Sequence, residues 1–334
     1  MASRLKDIAA ELNCSVATVS KAIQDYPDIS EATKRRVRAK CIERGYQPNW
    51  TARSLKTRRS RIIGMVLPHL RHSFFQEAYQ AIVEEVGPSG YTVFIGVSLN
   101  DPETEEREVR HLQARQADGL ILASARPASD PGFVRRLANG GTPTVLLDRF
   151  FDDLDLDFVG VDDVGVGAIA VEHLIRQGRR RIAYLRGPSL STSRLREEGY
   201  RNALLRNGLA PNERWIGRVL VDGPDAERSI ERVILSDPRP DAVFCYNDPV
   251  AAAVMRVANR RGLAIPEDLA VVGSGAMKYS DLFYRPLTTV DQRSRVVGRK
   301  VAKRIVELIE CNPRPNPQRV LVGPELIVRA STSP

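Results

Sequence analysis

Residues 15–22, SVATVSKA, place hydroxyl, apolar and cationic side chains together at helical spacing. Ser15 can accept a bond from a free N–H of a first turn and so cap a helix that follows it. Val16 and Ala17 then stand at the exposed start of that helix. There, small apolar groups let a backbone approach a duplex groove and can touch thymine methyls. Thr18 and Ser20 can hold phosphate oxygens, and Lys21, one turn on, can donate to a guanine O6/N7 edge or to a phosphate. Val19 should face inward and pack on a preceding helix. The charge agrees with this chemistry. The 334-residue chain carries a net charge of +9, and residues 1–61 hold 14 Lys and Arg against 6 Asp and Glu. Nearly all of the excess therefore sits in a short head, which points to a polyanionic partner for the head alone.

A second set of polar and aromatic residues lies at the ends of short apolar runs. In doubly wound sheets, ligands bind off the carboxyl ends of the strands. That rule selects the 70–75 segment with Phe74 and Phe75, then Ser124, Asp148, Arg186, Arg196, Asn247, Asp248 and Gly275. Other patterns carry less. GVGAIA (Gly165, Gly167, Ala170) fits a dinucleotide fingerprint, but the next strand ends in Arg186 where an acid is wanted, so these glycines read as close packing of helix on sheet. His69 and His72 are three apart with no third ligand at a plausible spacing. The four cysteines are scattered without a C-x-x-C pair, which argues against a disulfide framework or zinc site and for reduced thiols in a cytoplasm. No nucleophile elbow is present. No catalytic residue, metal or cofactor is expected.

The elements that must position these residues follow from periodicity. Leu5, Ile8, Ala9 and Leu12 form a helical stripe, Ser15 opens a second helix, and Ser30 with Glu31 opens a third that stops at Gly45. This is a three-helix head with a helix-turn-helix, residues 1–47. Residues 48–61 contain Pro48 and Asn49 and read as a linker that is helical only with a partner. From Ile62 onward, eight apolar runs (IIGMVLP, YTVFIGVS, DGLILAS, TPTVLLD, FVGVDD, IAYLRGP, DAVFCYN, LAVVGSG) alternate with helical stretches. Continuous apolar strands alternating with helices mean parallel sheets covered on both faces. The fold class is α/β, with two doubly wound subdomains: 62–161 plus 290–320, and 162–289 plus 321–331. The final segment reads as a Pro-rich loop, one or two strands and a frayed tail. No apolar run is long enough to span a bilayer, and no secretory signal is visible, so no membrane partner is expected.

LKDIAAELNCSVATVSKAI, ISEATKRRV, GYQPNWTARSL and RIIGMVLP together resemble the head, hinge and first core strand of the LacI/GalR family of bacterial repressors. The likeness continues through VGVDDVGVGAIAVEHLIRQGRRRIAYLRGP, RLREEGYRNAL, NDPVAAAVMR, GLAIPEDLAVVG and PLTTVDQ, practically the whole chain. The resemblance implies a homodimer on a pseudo-palindromic double-stranded operator, with a core similar to periplasmic sugar-binding proteins. It implies that Asn49, Arg53 and Leu55 of the hinge join the DNA contacts, with Leu55 as the wedge that opens a central step. It implies a small-molecule effector held by Arg196, by Asn247 or Asp248, and by Asp148, with Phe74 and Phe75 flanking a ring. One departure stands out: Ser274 and Gly275 replace the aromatic and the acid usual after that strand. The missing acid speaks against a simple neutral sugar, and with Arg196 unopposed by it an anionic effector, a sugar acid or sugar phosphate, is favoured. A solute receptor without DNA function, a Rossmann-type enzyme, and an activator or co-regulator-dependent binder are the rival readings.

Overall fold

The computed structural model describes residues 4–46, 59–127, 129–221 and 223–333. The chain divides into two units, Met1–Ser60 and Arg61–Pro334. In the head, α1 (Leu5–Glu11), α2 (Val16–Ile23) and α3 (Glu31–Glu43) close on Ile8, Ala9, Val19, Ala22 and Val37. Asn13, at φ 51, makes the tight turn between α1 and α2. Ser15 and Ser30 are the N-caps of α2 and α3, accepting bonds from the Thr18 and Thr33 amides at 3.0 and 3.3 Å. Gly45, at φ 58, follows α3, and Tyr46 donates its N–H back to the Cys41 carbonyl. A side chain at Gly45 would be strained by its backbone rather than by lack of room.

In the body, β1 (Ile62–Leu67), α4 (Ser73–Val86), β2 (Thr92–Val97), α5 (Pro102–Ala114), β3 (Gly119–Leu122), α6 (Gly132–Asn139), β4 (Thr144–Leu147) and β5 (Asp157–Val161) build a first lobe. A second lobe follows with α7 (Asp163–Arg176), β6 (Ile182–Arg186), α8 (Ser191–Arg206), β7 (Ile216–Arg218), α9 (Ala226–Ile234), β8 (Ala242–Cys245), α10 (Asp248–Arg260), β9 (Ala270–Ser274) and β10 (Thr288–Asp291). Then α11 (Ser294–Glu310) and β11 (Arg319–Val322) return to the first lobe, and β12 (Glu325–Ile327) to the second. The strand orders are β11-β5-β4-β3-β1-β2 and β12-β10-β9-β8-β6-β7. All the pairings are parallel except β10 with β12. In the first lobe Met65 pairs with Ile95 on one side and Ile121 on the other.

The eight apolar runs all become strands. The short edge strand β7 and strand β10 are additions, and the C-terminal segment supplies two strands, within the one or two expected. The strands set the second and third passages between lobes after Asp291 and after Val322. These passages lie together: Asp162 donates its N–H to the Val322 carbonyl at 3.0 Å, and Arg293 meets Glu325 at 3.2 Å. The expected frayed tail is not found at Ser331 and Thr332, both buried. Ser331 Oγ accepts from the Thr288 amide and donates to the Val271 carbonyl, which anchors the segment to the β9–β10 region.

Gly165 and Gly167 pack tightly, but not on the sheet: a Cβ on Gly165 would meet the Asp162 carboxylate that caps its own helix. A Cβ on Gly167 would collide with the Arg196 carbonyl oxygen of α8, and one on Gly199 with the Val164 carbonyl of α7. Gly167 and Gly199 thus serve the helix-on-helix approach of α7 and α8, and that approach decides where Arg196 lies. Among the described residues, no helix is long and apolar enough to cross a membrane.

Candidate functional site

On the head, the cap and the core fix which face of α2 is free. Val19 and Ala22 are sealed, while Ser15, Val16, Ala17 and Lys21 are exposed and Thr18 and Ser20 are half-buried. Ser15 and Thr18 share a hydroxyl contact at 2.9 Å, and Ser20 accepts a bond from Gln24. The six candidates, the cap and five helix residues, therefore all keep surface outside the sealed face, with a 47 % exposed Val16 at the leading end. Lys21 Nζ is engaged, 2.5 Å from Asp28 Oδ2 and 5.9 Å from the centre of the Tyr26 ring. Asn49, Arg53 and Leu55 lie outside the described residues.

In the body, the carboxyl ends of both sheets face a cleft of about 700 Å³. Phe74 and Phe75, at the start of α4, reach it edge to face, with ring centres 5.3 Å apart. Asp148 follows β4 at φ 66, a left-handed conformation that Asp tolerates better than most residues. This turn leaves its side chain 8 % of the way exposed as a residue and facing the cleft. Among the described residues its carboxylate has no hydrogen-bond donor; the nearest cation is Arg149 Nε at 3.8 Å, too far for a hydrogen bond. Burial pushes the Asp148 carboxyl above the usual range, against the pull of Arg149 and Arg196.

Arg149 is a cleft residue that sequence reasoning missed. Its Nη1 donates to the Ser124 carbonyl at 2.7 Å, and both Nη atoms reach Asn100 Oδ1 at 3.3 Å. Among the described residues its buried Nε has no hydrogen-bond partner. An unmade buried donor costs about 1–3 kcal/mol. Two further residues missed are Tyr246 and Gln292. The Tyr246 ring lies under the Arg196 guanidinium at 4.7 Å, in space that a side chain on Gly187 would fill. Gln292 donates to Ser274 Oγ at 2.9 Å.

Arg196 is in the cleft wall as expected, but it is not unopposed. Its Nε donates to Asp163 Oδ1 at 2.7 Å, its Nη1 to the Tyr246 carbonyl at 2.6 Å, and both members of the ion pair are 3 % exposed. Asp163, at the first turn of α7, thus balances the charge that the missing acid at Gly275 was expected to leave free. Burial and the neighbouring Asp148 push Asp163 up to about 7 in spite of Arg196.

The remaining candidates divide. Asn247 lines the cleft while its Oδ1 accepts from the Val250 amide and caps α10. Asp248 borders the cleft but is held by Thr289 Oγ1 and the Met277 amide, both at 2.6 Å, so it pins the loop after β9. Gly275, at φ 131, also lines the cleft. Ser124 does not: it lies beneath, bonding Glu105 at 2.9 Å. Arg186 is exposed and meets Glu197 at 3.4 Å. His69 and His72 stand at the cleft with ring centres 4.2 Å apart, and burial, His72 and Arg149 lower His69 to about 4. Among the described residues no group of three or more potential metal ligands occurs.

Comparison with known proteins bears on both sites. Residues 4–49 match the family described as "Bacterial regulatory proteins, lacI family", and residues 171–332 match "Periplasmic binding protein-like domain". The chain is 29 % identical over 332 residues to the HTH-type transcriptional repressor CytR of Escherichia coli, covering 99 % of this chain and 96 % of that one. It is 30 % identical over 333 residues to the repressor PurR of Aliivibrio fischeri, covering 98 % of both. Among solved structures, a lac repressor dimer bound to operator and the anti-inducer ONPF superposes with a TM-score of 0.86 at 25 % identity, covering 99 % of each chain. The transcriptional regulator CelR in a cellobiose complex gives 0.74 at 27 % identity, covering 98 % of this chain and 99 % of that one. Such agreement over the full length, with α2 inside the matched head and Arg196 inside the matched core, means that the chain belongs to the lacI family of bacterial regulatory proteins and is a ligand-responsive, DNA-binding transcriptional repressor.

Proposed function

We propose that the protein represses carbohydrate-related genes in the cytoplasm, binding a pseudo-palindromic operator as a homodimer, and that a neutral polyhydroxylated ring in the cleft is its effector. In this reading residues 1–47 read the major groove through the free face of α2. Residues 48–61 fold on the duplex, with Asn49 and Arg53 on the backbone and Leu55 wedged at the central step. Effector binding between the lobes shifts their angle and changes operator affinity, a coupling of about 1–3 kcal/mol in systems of this type.

The observation that carries the choice of a neutral ligand is Asp148. A buried carboxylate without a hydrogen-bond donor among the described residues takes hydroxyl hydrogens. Vicinal hydroxyls supply two such hydrogens at once. The charge of Arg196 is already balanced by Asp163, so this arginine offers no surplus charge to a carboxylate or phosphate. Phe74, Phe75 and Tyr246 offer apolar faces to a ring.

Calorimetric titration of the full-length protein with neutral sugars, aldonic acids and sugar phosphates tests the effector class. Binding of a neutral sugar that weakens about tenfold or more in Asp148→Asn supports it. Binding confined to the acids or phosphates overturns it.

A further inference from the structure

We infer that Asp163 is a positioning residue that sets the charge selectivity of the cleft: by holding Arg196 in a buried ion pair from behind, it bars carboxylates and phosphates from this arginine and leaves it a donor for a hydroxyl. The inference rests on the reading of the effector as a neutral ring and deepens it.

Two adjacent acids open α7, and they are used differently. Asp162 turns to its own helix and accepts the Gly165 amide at 2.9 Å. Asp163, one residue on, faces α8, which the close approach at Gly167 and Gly199 brings against it. There its Oδ1 accepts from Arg196 Nε at 2.7 Å, while Arg196 Nη1 donates to the Tyr246 carbonyl at 2.6 Å. The Tyr246 ring covers a face of the guanidinium, and its hydroxyl is fixed 2.9 Å from Thr192 Oγ1. Arg196 lines the cleft, whereas Asp163 lies behind it. Among the described residues, Nη2 is the nitrogen of this guanidinium that makes no hydrogen bond.

An arginine holds a carboxylate or phosphate most tightly through two parallel N–H donors and its full charge. Each donor pair that includes Nη2 has its second nitrogen already engaged here, Nε by Asp163 or Nη1 by Tyr246. An anion at Nη2 would also stand near two buried carboxylates, since both Asp163 and Asp148 act on Arg196. Charges in such surroundings are screened little. A hydroxyl carries no net charge and takes the Nη2 donor without that repulsion. Removing the Asp163 carboxylate therefore favours an anion over a neutral group at this place, with every residue that lines the cleft left as it was.

The test uses the full-length protein at about one pH unit above the value of about 7 to which burial and Asp148 push Asp163, so that its carboxylate is charged. Wild type, Asp163→Ala and the double variant Asp163→Ala with Arg196→Gln are melted in sodium chloride and in sodium formate of equal ionic strength. Asp163→Ala leaves an unpaired guanidinium and a space of carboxylate size, so formate should raise its melting temperature by about 2–4 °C beyond any shift of the wild type. The double variant lacks both buried charges and should respond no more than the wild type. Equal stabilisation of wild type and Asp163→Ala shows Arg196 open to anions with Asp163 in place and overturns the inference, as does an Asp163→Ala variant indifferent to formate. Asp163→Asn, which keeps the shape and the acceptor, carries a second measurement: calorimetric titration with glucose against glucuronate and galactose against galacturonate. The wild type should favour the neutral member of a pair, and that preference should fall about tenfold or more in the variant. An unchanged preference overturns the inference. A wild type that prefers the uronates overturns the neutral-ring reading, and this inference with it. The formate measurement needs no effector, so it decides the inference even where no sugar of the panel binds.

Discussion

The head and the cleft both depend on cation–carboxylate pairs, but in opposite surroundings. Lys21 and Asp28 meet with 46 % and 51 % of their side chains in solvent, whereas Arg196 and Asp163 meet at 3 % each. In water the pair is cheap to make and cheap to break, and its main consequence is in how salt and a polyanion compete for it. In the cleft wall the pair has displaced water from both charges, so neither partner can be lost alone without leaving an isolated buried ion. One region is thus tuned by ionic strength and the other by what enters the cleft.

The sharpest way to break this contrast is Arg196→Ala, which strands Asp163. It should cost about 3–5 kcal/mol of body stability in urea unfolding; a loss under about 1 kcal/mol would place the pair with the exposed ones. Next in size is Gly167→Ala, which drives a methyl into the backbone of α8 and should cost about 1–3 kcal/mol by the same measurement. Arg196 then lies displaced, so effector affinity should fall as well. In the head, Ser15→Ala removes the cap of α2 and should cost about 1 kcal/mol, read as faster hydrogen exchange at the Thr18 amide.

A smaller effect separates the regions by pH. His69 is held near 4, below its ordinary 6.5, so the folded body binds fewer protons than the unfolded chain between those values. Its contribution is complete above about 6.5 and is lost as the pH falls through about 4; because the ring is partly solvated, the change is modest. His69→Gln should flatten the urea midpoint across that window, and an unchanged pH profile would remove His69 from the account. The smallest effect is expected for Asp28→Asn on stability, where the melting temperature should not move.

Much of this was legible in the sequence wherever the cause was local. The free face of α2 follows from Ser15 as cap and Val19 as anchor, and the parallel strands from apolar runs covered on both faces. What escaped depended on contacts between distant segments. Asp163 reads as an ordinary acid at a helix start, and only the glycine-mediated approach of α7 to α8 brings it onto Arg196, 33 positions along. Ser124 sits at a strand end as the rule requires, yet Glu105 takes its hydroxyl from below. Strand β7 is three residues long with half-exposed or exposed positions, so no apolar run announces it; it exists because Tyr184–Arg186 of β6 offers an open edge. Arg149 and Tyr246 adjoin residues that were named, but their direction into the cleft comes from Asn100 and Gly187, neither of which has a pattern to read.

The three passages between the lobes have a mechanical consequence. A single tether would let one lobe swivel freely on the other. Here the passages after β5, β10 and β11 leave from one edge of each sheet and are bonded to one another at Asp162 with Val322 and at Arg293 with Glu325. Side-by-side links of this kind resist torsion and sliding, and leave bending about a single axis as the soft motion. The lobes behave as two leaves of a door, so whatever fills the cleft reports itself along one coordinate, the opening angle.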